Sequence, residues 1–137
     1  MSKAIIIKKT GGPEVLSFED YDPGQPGKGE ILVDQKAAGI NFIDVYFRTG
    51  LYKSDKMPFV AGKEGAGIVA AVGEGVSLFK KGDRVAYNGI SGTYAEKIVV
   101  PADKAVLVPR EIELETAAAV MLKGMTAHML FTRVRPL

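Results

Sequence analysis

Residues 61–67 read Ala61-Gly62-Lys63-Glu64-Gly65-Ala66-Gly67, a cation and a carboxylate side by side in a glycine-dense turn. Glycines at 62, 65 and 67 let the backbone bend sharply or approach another group closely. Either Lys63 or Glu64 points into a cleft and the turn is the lip of a site, or the two charges form a solvated pair at a tight strand entry, which glycine clusters usually mark. Asn41 stands between Ala38-Gly39-Ile40 and Phe42. An Asn there caps a helix by accepting an amide proton of its first turn, or faces a cleft from a helix N-terminus that offers donors to a ribose or phosphate. Tyr46 and Tyr52 frame Arg48-Thr49-Gly50-Leu51. Rings with a polar tip suit a pocket for a flat organic ligand, although core packing is the commoner role of a single tyrosine. His128 is the sole histidine and the chain has no cysteine. Zinc ligation by a His/Cys set, disulfides and thiol catalysis are therefore excluded within this chain. No Gly-x-Ser-x-Gly elbow supports nucleophilic hydrolysis.

The elements that must position these residues are mostly strands. Short apolar runs separated by glycine and proline predict strands at 4–8, 17–20, 30–38, 67–72, 84–86, 92–100 and 105–107. Gly11-Gly12-Pro13, Pro23-Gly24-Gln25-Pro26-Gly27 and Lys80-Lys81-Gly82-Asp83 supply the turns. Many short strands with this much turn material predict a small distorted barrel or sandwich. Phe42, Val45 and Tyr46 fall at helical intervals over 41–48, with Gly50 placed to end the helix. The run 114–122 is rich in helix formers, and a second helical stretch is expected over 126–132. The dozen residues after Met125 are too few for a βαβ unit of roughly 30 residues. No Gly-x-Gly-x-x-Gly follows a strand, so no dinucleotide-binding fold is expected in this chain.

The 137 residues suit one domain. Lys and Arg number 18 against 16 Asp and Glu, interspersed, for a net +2. A basic stripe for nucleic acid is not evident, and no apolar run is long enough to cross a bilayer. The opening Met1–Lys9 is too short in apolar residues for a signal peptide and reads as a strand.

In order along the chain, Gly11-Gly12-Pro13-Glu14-Val15-Leu16, Ala38-Gly39-Ile40-Asn41-Phe42-Ile43-Asp44 and Arg48-Thr49-Gly50-Leu51-Tyr52 are followed by the Gly62 to Val72 stretch. Gly82-Asp83-Arg84-Val85, Gly92-Thr93-Tyr94-Ala95-Glu96 and Lys123-Gly124-Met125-Thr126 complete the set. Each is weak alone. Together they resemble the N-terminal part of the NADPH:quinone oxidoreductases, the zinc-free, ζ-crystallin-like branch of the medium-chain dehydrogenase/reductases. The resemblance implies a mainly β (α+β) GroES-like distorted barrel with short helices and no Rossmann domain in this chain. The barrel would span 1–122, and 123–137 would begin the helix into a dinucleotide-binding domain absent here.

By the same resemblance, Asn41 takes the place of a cysteine ligand of zinc-dependent relatives and Lys63 that of a histidine ligand, so no metal is expected. Asn41, Phe42, Tyr46 and Thr126 are implied at the nicotinamide end of NADPH, and Tyr52 and Lys63 at a quinone pocket. The implied activity is hydride transfer from NADPH to quinones in the cytoplasm by a homodimer at full length, with no nucleic-acid or membrane partner. The isolated chain is expected to be inactive. His128 and Met129 depart from the family, which often has a tyrosine near the cofactor on the helix of Thr126. Two alternatives stand beside this reading. One is a zinc-free enoyl or enone reductase of the same superfamily. The other is a standalone GroES-like binding or assembly module, with apolar surface from Ala117 to Phe131 left free.

Overall fold

The computed structural model describes residues 1–135. Its strands are β1 (Ser2–Ile7), β2 (Leu16–Tyr21), β3 (Glu30–Gly39), β4 (Phe59–Val60), β5 (Glu64–Val72), β6 (Arg84–Asn88), β7 (Lys97–Pro101) and β8 (Ala105–Leu107). Helix α1 (Phe42–Thr49) lies between β3 and β4, and α2 (Leu114–Met129) follows β8 and runs into a π-helical turn, Leu130–Val134.

The β-branched runs Ile5-Ile6-Ile7 and Ile98-Val99-Val100 suit a pleated, half-buried surface. The strands pair antiparallel in a five-stranded sheet, β7-β3-β5-β6-β8, and a three-stranded one, β2-β1-β4. Residues 94–96 stitch the sheets together. Ile5 N–H donates to the Tyr94 carbonyl at 2.8 Å, Glu96 N–H to Lys3 at 2.8 Å and Gln35 N–H to Glu96 at 2.9 Å. The result is the expected distorted barrel, mainly β with two helices. Its interior is filled by Ile31, Val33, Val69, Val85, Val100 and Tyr87.

Small residues bring α2 onto the outside of this barrel. Leu114, Ala117 and Ala118 pack on Ala66 and Ala86 of β5 and β6, so the helix axis comes close enough for polar atoms of the two elements to meet. The Arg84 guanidinium fastens the approach segment, donating to the carbonyls of Pro109 at 3.0 Å, Arg110 at 2.9 Å and Ile112 at 2.5 Å.

Four expectations change. The strand predicted at 92–100 begins only at Lys97, because Gly92 turns the chain at φ +103 and 94–96 cross to β1. The two-residue β4 was not predicted, being too short to show a pattern. The helical stretches 114–122 and 126–132 are joined, since α2 runs unbroken through Gly124, a position that costs only about 1 kcal/mol in a helix. Ala117 and Ala118 are buried against the sheet, and the large exposed apolar side chains here are Val120, Met125 and Met129 of α2 and Phe131 of the turn that follows it. Among the described residues no helix is long and apolar enough to cross a membrane.

Candidate functional site

Gly62 sets the geometry of the site. Its φ is +91, and a Cβ there would lie 2.4 Å from both Thr93 Oγ1 and Tyr94 Cδ1, so only glycine allows the turn to tuck under residues 93–94. The chain then enters β5, where successive side chains point to opposite faces. Glu64, the first residue of β5, is wholly buried and Lys63 before it is bonded to Ser91, so the solvated Lys63–Glu64 pair foreseen as one reading of this turn does not form.

Glu64 is wholly buried. Its Oε2 accepts from Asn41 Nδ2 at 2.7 Å and from Lys123 Nζ at 3.4 Å, and its Oε1 accepts the Leu122 N–H at 2.5 Å. Lys123 Nζ also donates to Asn41 Oδ1 at 2.8 Å. Three side chains from β5, α2 and the head of α1 thus close a ring. Gly39 makes room for it: a Cβ there would stand 2.1 Å from Glu64 Oε2 and 2.8 Å from the Ala118 carbonyl.

Lys63 faces the other way. Its Nζ lies 4.3 Å from the centroid of the Phe47 ring, a cation–π contact, and donates to Ser91 Oγ at 2.5 Å. Burial pushes its pKa below the usual lysine value, partly opposed by the charge of Asp44. Asp44 Oδ2 accepts the Asn41 N–H at 2.9 Å and the Tyr94 hydroxyl at 2.8 Å. Burial, with Asp44 and Glu64 adding negative charge nearby, pushes the Tyr94 phenol well above its ordinary pKa. Asp44, Phe47, Ser54, Lys63 and Ser91 border a recess of about 30 Å³, room for one water. Beside it the rings of Tyr46 and Tyr52 meet edge-on at 5.3 Å, and those of Phe47 and Tyr52 at 5.8 Å.

The nominated residues fall into two groups. Tyr46, Tyr52 and Lys63 are connected through Phe47, which sequence reasoning did not single out. Asn41 belongs with Glu64 and Lys123, and Thr126 lies one turn beyond Lys123 on α2. The Thr126 hydroxyl turns back on its own helix, donating to the Leu122 carbonyl at 2.7 Å. Phe42 is 80% exposed at the start of α1. The sequence did carry signals for two missed residues. Asp44, three after Asn41, has capping-box spacing, and Lys123 is the only lysine, arginine or acid between Glu115 and Arg133. Ser91 and Tyr94 come from a loop with no such signal.

The donor set around Glu64 does not fit a zinc ion. It offers one carboxylate, whose oxygens already accept from three nitrogens, and an ammonium stands beside it where a cation would have to sit. Among the described residues no group of three or more His, Cys, Asp or Glu could hold a metal.

A barrel of this topology, with a helix head and a glycine turn meeting at its rim, defines a domain class. The chain belongs to the alcohol dehydrogenase GroES-like domain family, which it matches over residues 27–110. Within that family it is 50% identical over 131 residues to a quinone oxidoreductase of Pseudomonas aeruginosa, covering 95% of this chain and 40% of that protein. The structure of Escherichia coli quinone oxidoreductase complexed with NADPH superposes with a TM-score of 0.96 at 44% identity, over 98% of this chain and 42% of that one. A 2-haloacrylate reductase of a Burkholderia species is 38% identical over 136 residues, 95% of this chain and 41% of that protein. The chain thus spans about two-fifths of the length of these relatives.

Proposed function

We propose that this chain is the catalytic barrel of an oxidoreductase that passes hydride from NADPH to a quinone without a metal. The observation that carries the reading is the run Lys63–Phe47–Tyr52–Tyr46, flat aromatic faces beside one half-buried cation, starting little more than a helical turn from Asn41. A quinone is a flat ring whose carbonyl oxygens gain negative charge on reduction, and a fixed cation stabilises such charge. Bound NADPH would supply the hydride. Asn41, Phe42, Tyr46 and Thr126 would hold its nicotinamide end, with Tyr52 and Lys63 toward the quinone. Polar Asn41 beside exposed, apolar Phe42 suits a ring carrying an amide. The likeness to a quinone oxidoreductase that binds NADPH supports the same reading. On this reading residues 1–122 form the barrel, 123–137 lead toward a dinucleotide-binding domain, and the working protein is a cytoplasmic homodimer. The 137-residue chain by itself binds NADPH negligibly, since among the described residues no glycine-rich strand–turn–helix offers a pyrophosphate site.

The 38% identity to a 2-haloacrylate reductase favours a second reading, reduction of α,β-unsaturated carbonyl compounds. The test joins this chain to the remainder of the Pseudomonas aeruginosa relative beyond the matched residues and follows NADPH oxidation. Turnover with 1,4-benzoquinone well above that with 2-chloroacrylate or an enone supports the quinone reading; the reverse order supports the second. An inactive hybrid, together with self-association of the 137-residue chain through Val120, Met125 and Phe131, would argue for a binding or assembly module instead.

A further inference from the structure

The ring of Asn41, Glu64 and Lys123 leaves its members no choice of partner. An ionised carboxylate can only accept hydrogen bonds and an ammonium can only donate them. Of the two ends of the Asn41 amide, Nδ2 must therefore face Glu64 and Oδ1 must face Lys123, as found at 2.7 Å and 2.8 Å. Turning the amide over would set donor against donor and acceptor against acceptor at both contacts. Glu64 cannot turn away, because it is wholly buried and its second oxygen holds the Leu122 N–H. Lys123 is different: its side chain is 58% exposed and its only described partners are Asn41 and Glu64. Lys123 thus reaches the ring from solvent, and its ammonium meets Asn41 Oδ1, the end of the amide that Glu64 does not hold.

From this geometry we infer that Lys123 is a positioning residue of the proposed reductase, acting on the cofactor through Asn41 by locking the Asn41 amide in one of its two orientations. This rests on the reading of Asn41 as a nicotinamide-side residue. An amide free to turn over presents the wrong end to its ligand part of the time, and a locked one is organised before the ligand arrives. One N–H of Asn41 Nδ2 stays outside the ring, and it is the group the lock aims. Lys63, 4.3 Å from the Phe47 ring and bonded to Ser91, takes no part in this ring.

The hybrid with the Pseudomonas aeruginosa relative tests this through Lys123→Met, Lys123→Arg, Asn41→Ala and the double Asn41→Ala/Lys123→Met variant. Lys123→Met is expected to raise KM for NADPH about tenfold with KM for benzoquinone unchanged, and Lys123→Arg, which keeps a donor, to recover most of the loss. The double variant should be no worse than Asn41→Ala alone, because Lys123 acts only through that amide. Additive losses, or an unchanged KM for NADPH in Lys123→Met, overturn the inference. If the unmodified hybrid shows no NADPH oxidation, the functional reading fails first, and the lock is judged on the 137-residue chain by NMR of the Asn41 side-chain amide. Two well-separated, exchange-protected NH₂ signals that lose protection in Lys123→Met support it. Signals insensitive to that substitution overturn it.

Discussion

Glu64, wholly buried at the start of β5, accepts a 2.7 Å hydrogen bond from Asn41 at the head of α1. A buried carboxylate is tolerated only when its oxygens are satisfied, and here the satisfaction comes from three separate elements. One side chain thus fixes the head of α1 and the middle of α2 on the barrel. The candidate cleft is built on that junction.

Removing this carboxylate should be costly. Glu64→Ala leaves the Leu122 N–H and the Asn41 amide without their acceptor and opens a cavity under α2, for a loss of about 3–5 kcal/mol. Lys123→Met takes the cation from the buried carboxylate but leaves its Asn41 and Leu122 donors in place, so it should cost less, about 1–3 kcal/mol. Urea unfolding of the two variants checks the ratio. Equal losses would show that Lys123, not the buried acceptor, carries the stability of the junction.

Gly39→Ala attacks the same junction from the side. The new methyl would meet Glu64 Oε2 at 2.1 Å and the Ala118 carbonyl at 2.8 Å, and the latter is helix backbone that cannot swing aside. Overpacking of this kind costs about 1–3 kcal/mol. Gly24→Ala is a useful control: it has nothing within 4 Å of its Cβ, although its φ of +76 still imposes strain. The measured thermal midpoint should fall further for Gly39→Ala, with a loss of α2 helicity that the control does not show.

The barrel was legible in the sequence because its strands are short β-branched runs cut by glycine and proline, and six of the eight begin within three residues of their expected starts. The strand expected at 92–100 was not, since the crossing of 94–96 to β1 is a tertiary event that no local pattern encodes. Asn41, Tyr46, Tyr52 and Lys63 were legible as polar or aromatic residues at a helix and a glycine turn. The ring that holds Asn41 was not, because Glu64 and Lys123 lie 59 positions apart and meet only after Ala117 and Ala118 seat α2 on the sheet. A charge at the start of a strand says nothing by itself about being buried.

Tyr94 should leave a mark on alkaline stability. Its phenol is held above the ordinary value in the folded state, chiefly by burial and then by the bond to Asp44. In the unfolded chain it ionises near the usual value of about 10. Above that pH the unfolded state binds fewer protons than the folded one, so stability falls as pH rises. The contribution is fully present below about pH 10 and is lost as pH climbs toward the raised folded value. Tyr94→Phe should flatten the decline of the urea midpoint between about pH 9.5 and 11. Tyr87, also raised by burial, keeps part of the slope in both proteins. An unchanged profile would mean that Tyr94 is as solvated as in the unfolded chain.

Lys63 and Lys123 should then divide the reaction between them. Lys63 stands over Phe47 on the aromatic side, and its lowered pKa reflects burial that an exposed lysine would not feel. A cation placed where charge develops on a quinone oxygen contributes to the transition state more than to ground-state binding. Lys63→Met in the hybrid protein should therefore lower kcat with benzoquinone by about tenfold, roughly 1.4 kcal/mol, and leave KM for NADPH unchanged. Lys63→Arg keeps the charge over the ring but alters its shape, and should fall between the two. Because the lysine pKa is depressed, the activity that depends on the charged form should also decline at a lower pH than for an exposed lysine, and this limb should be absent in Lys63→Met. Turnover by Lys63→Met equal to that of the unmodified hybrid at all pH values would leave Lys63 no role beyond its contacts with Phe47 and Ser91.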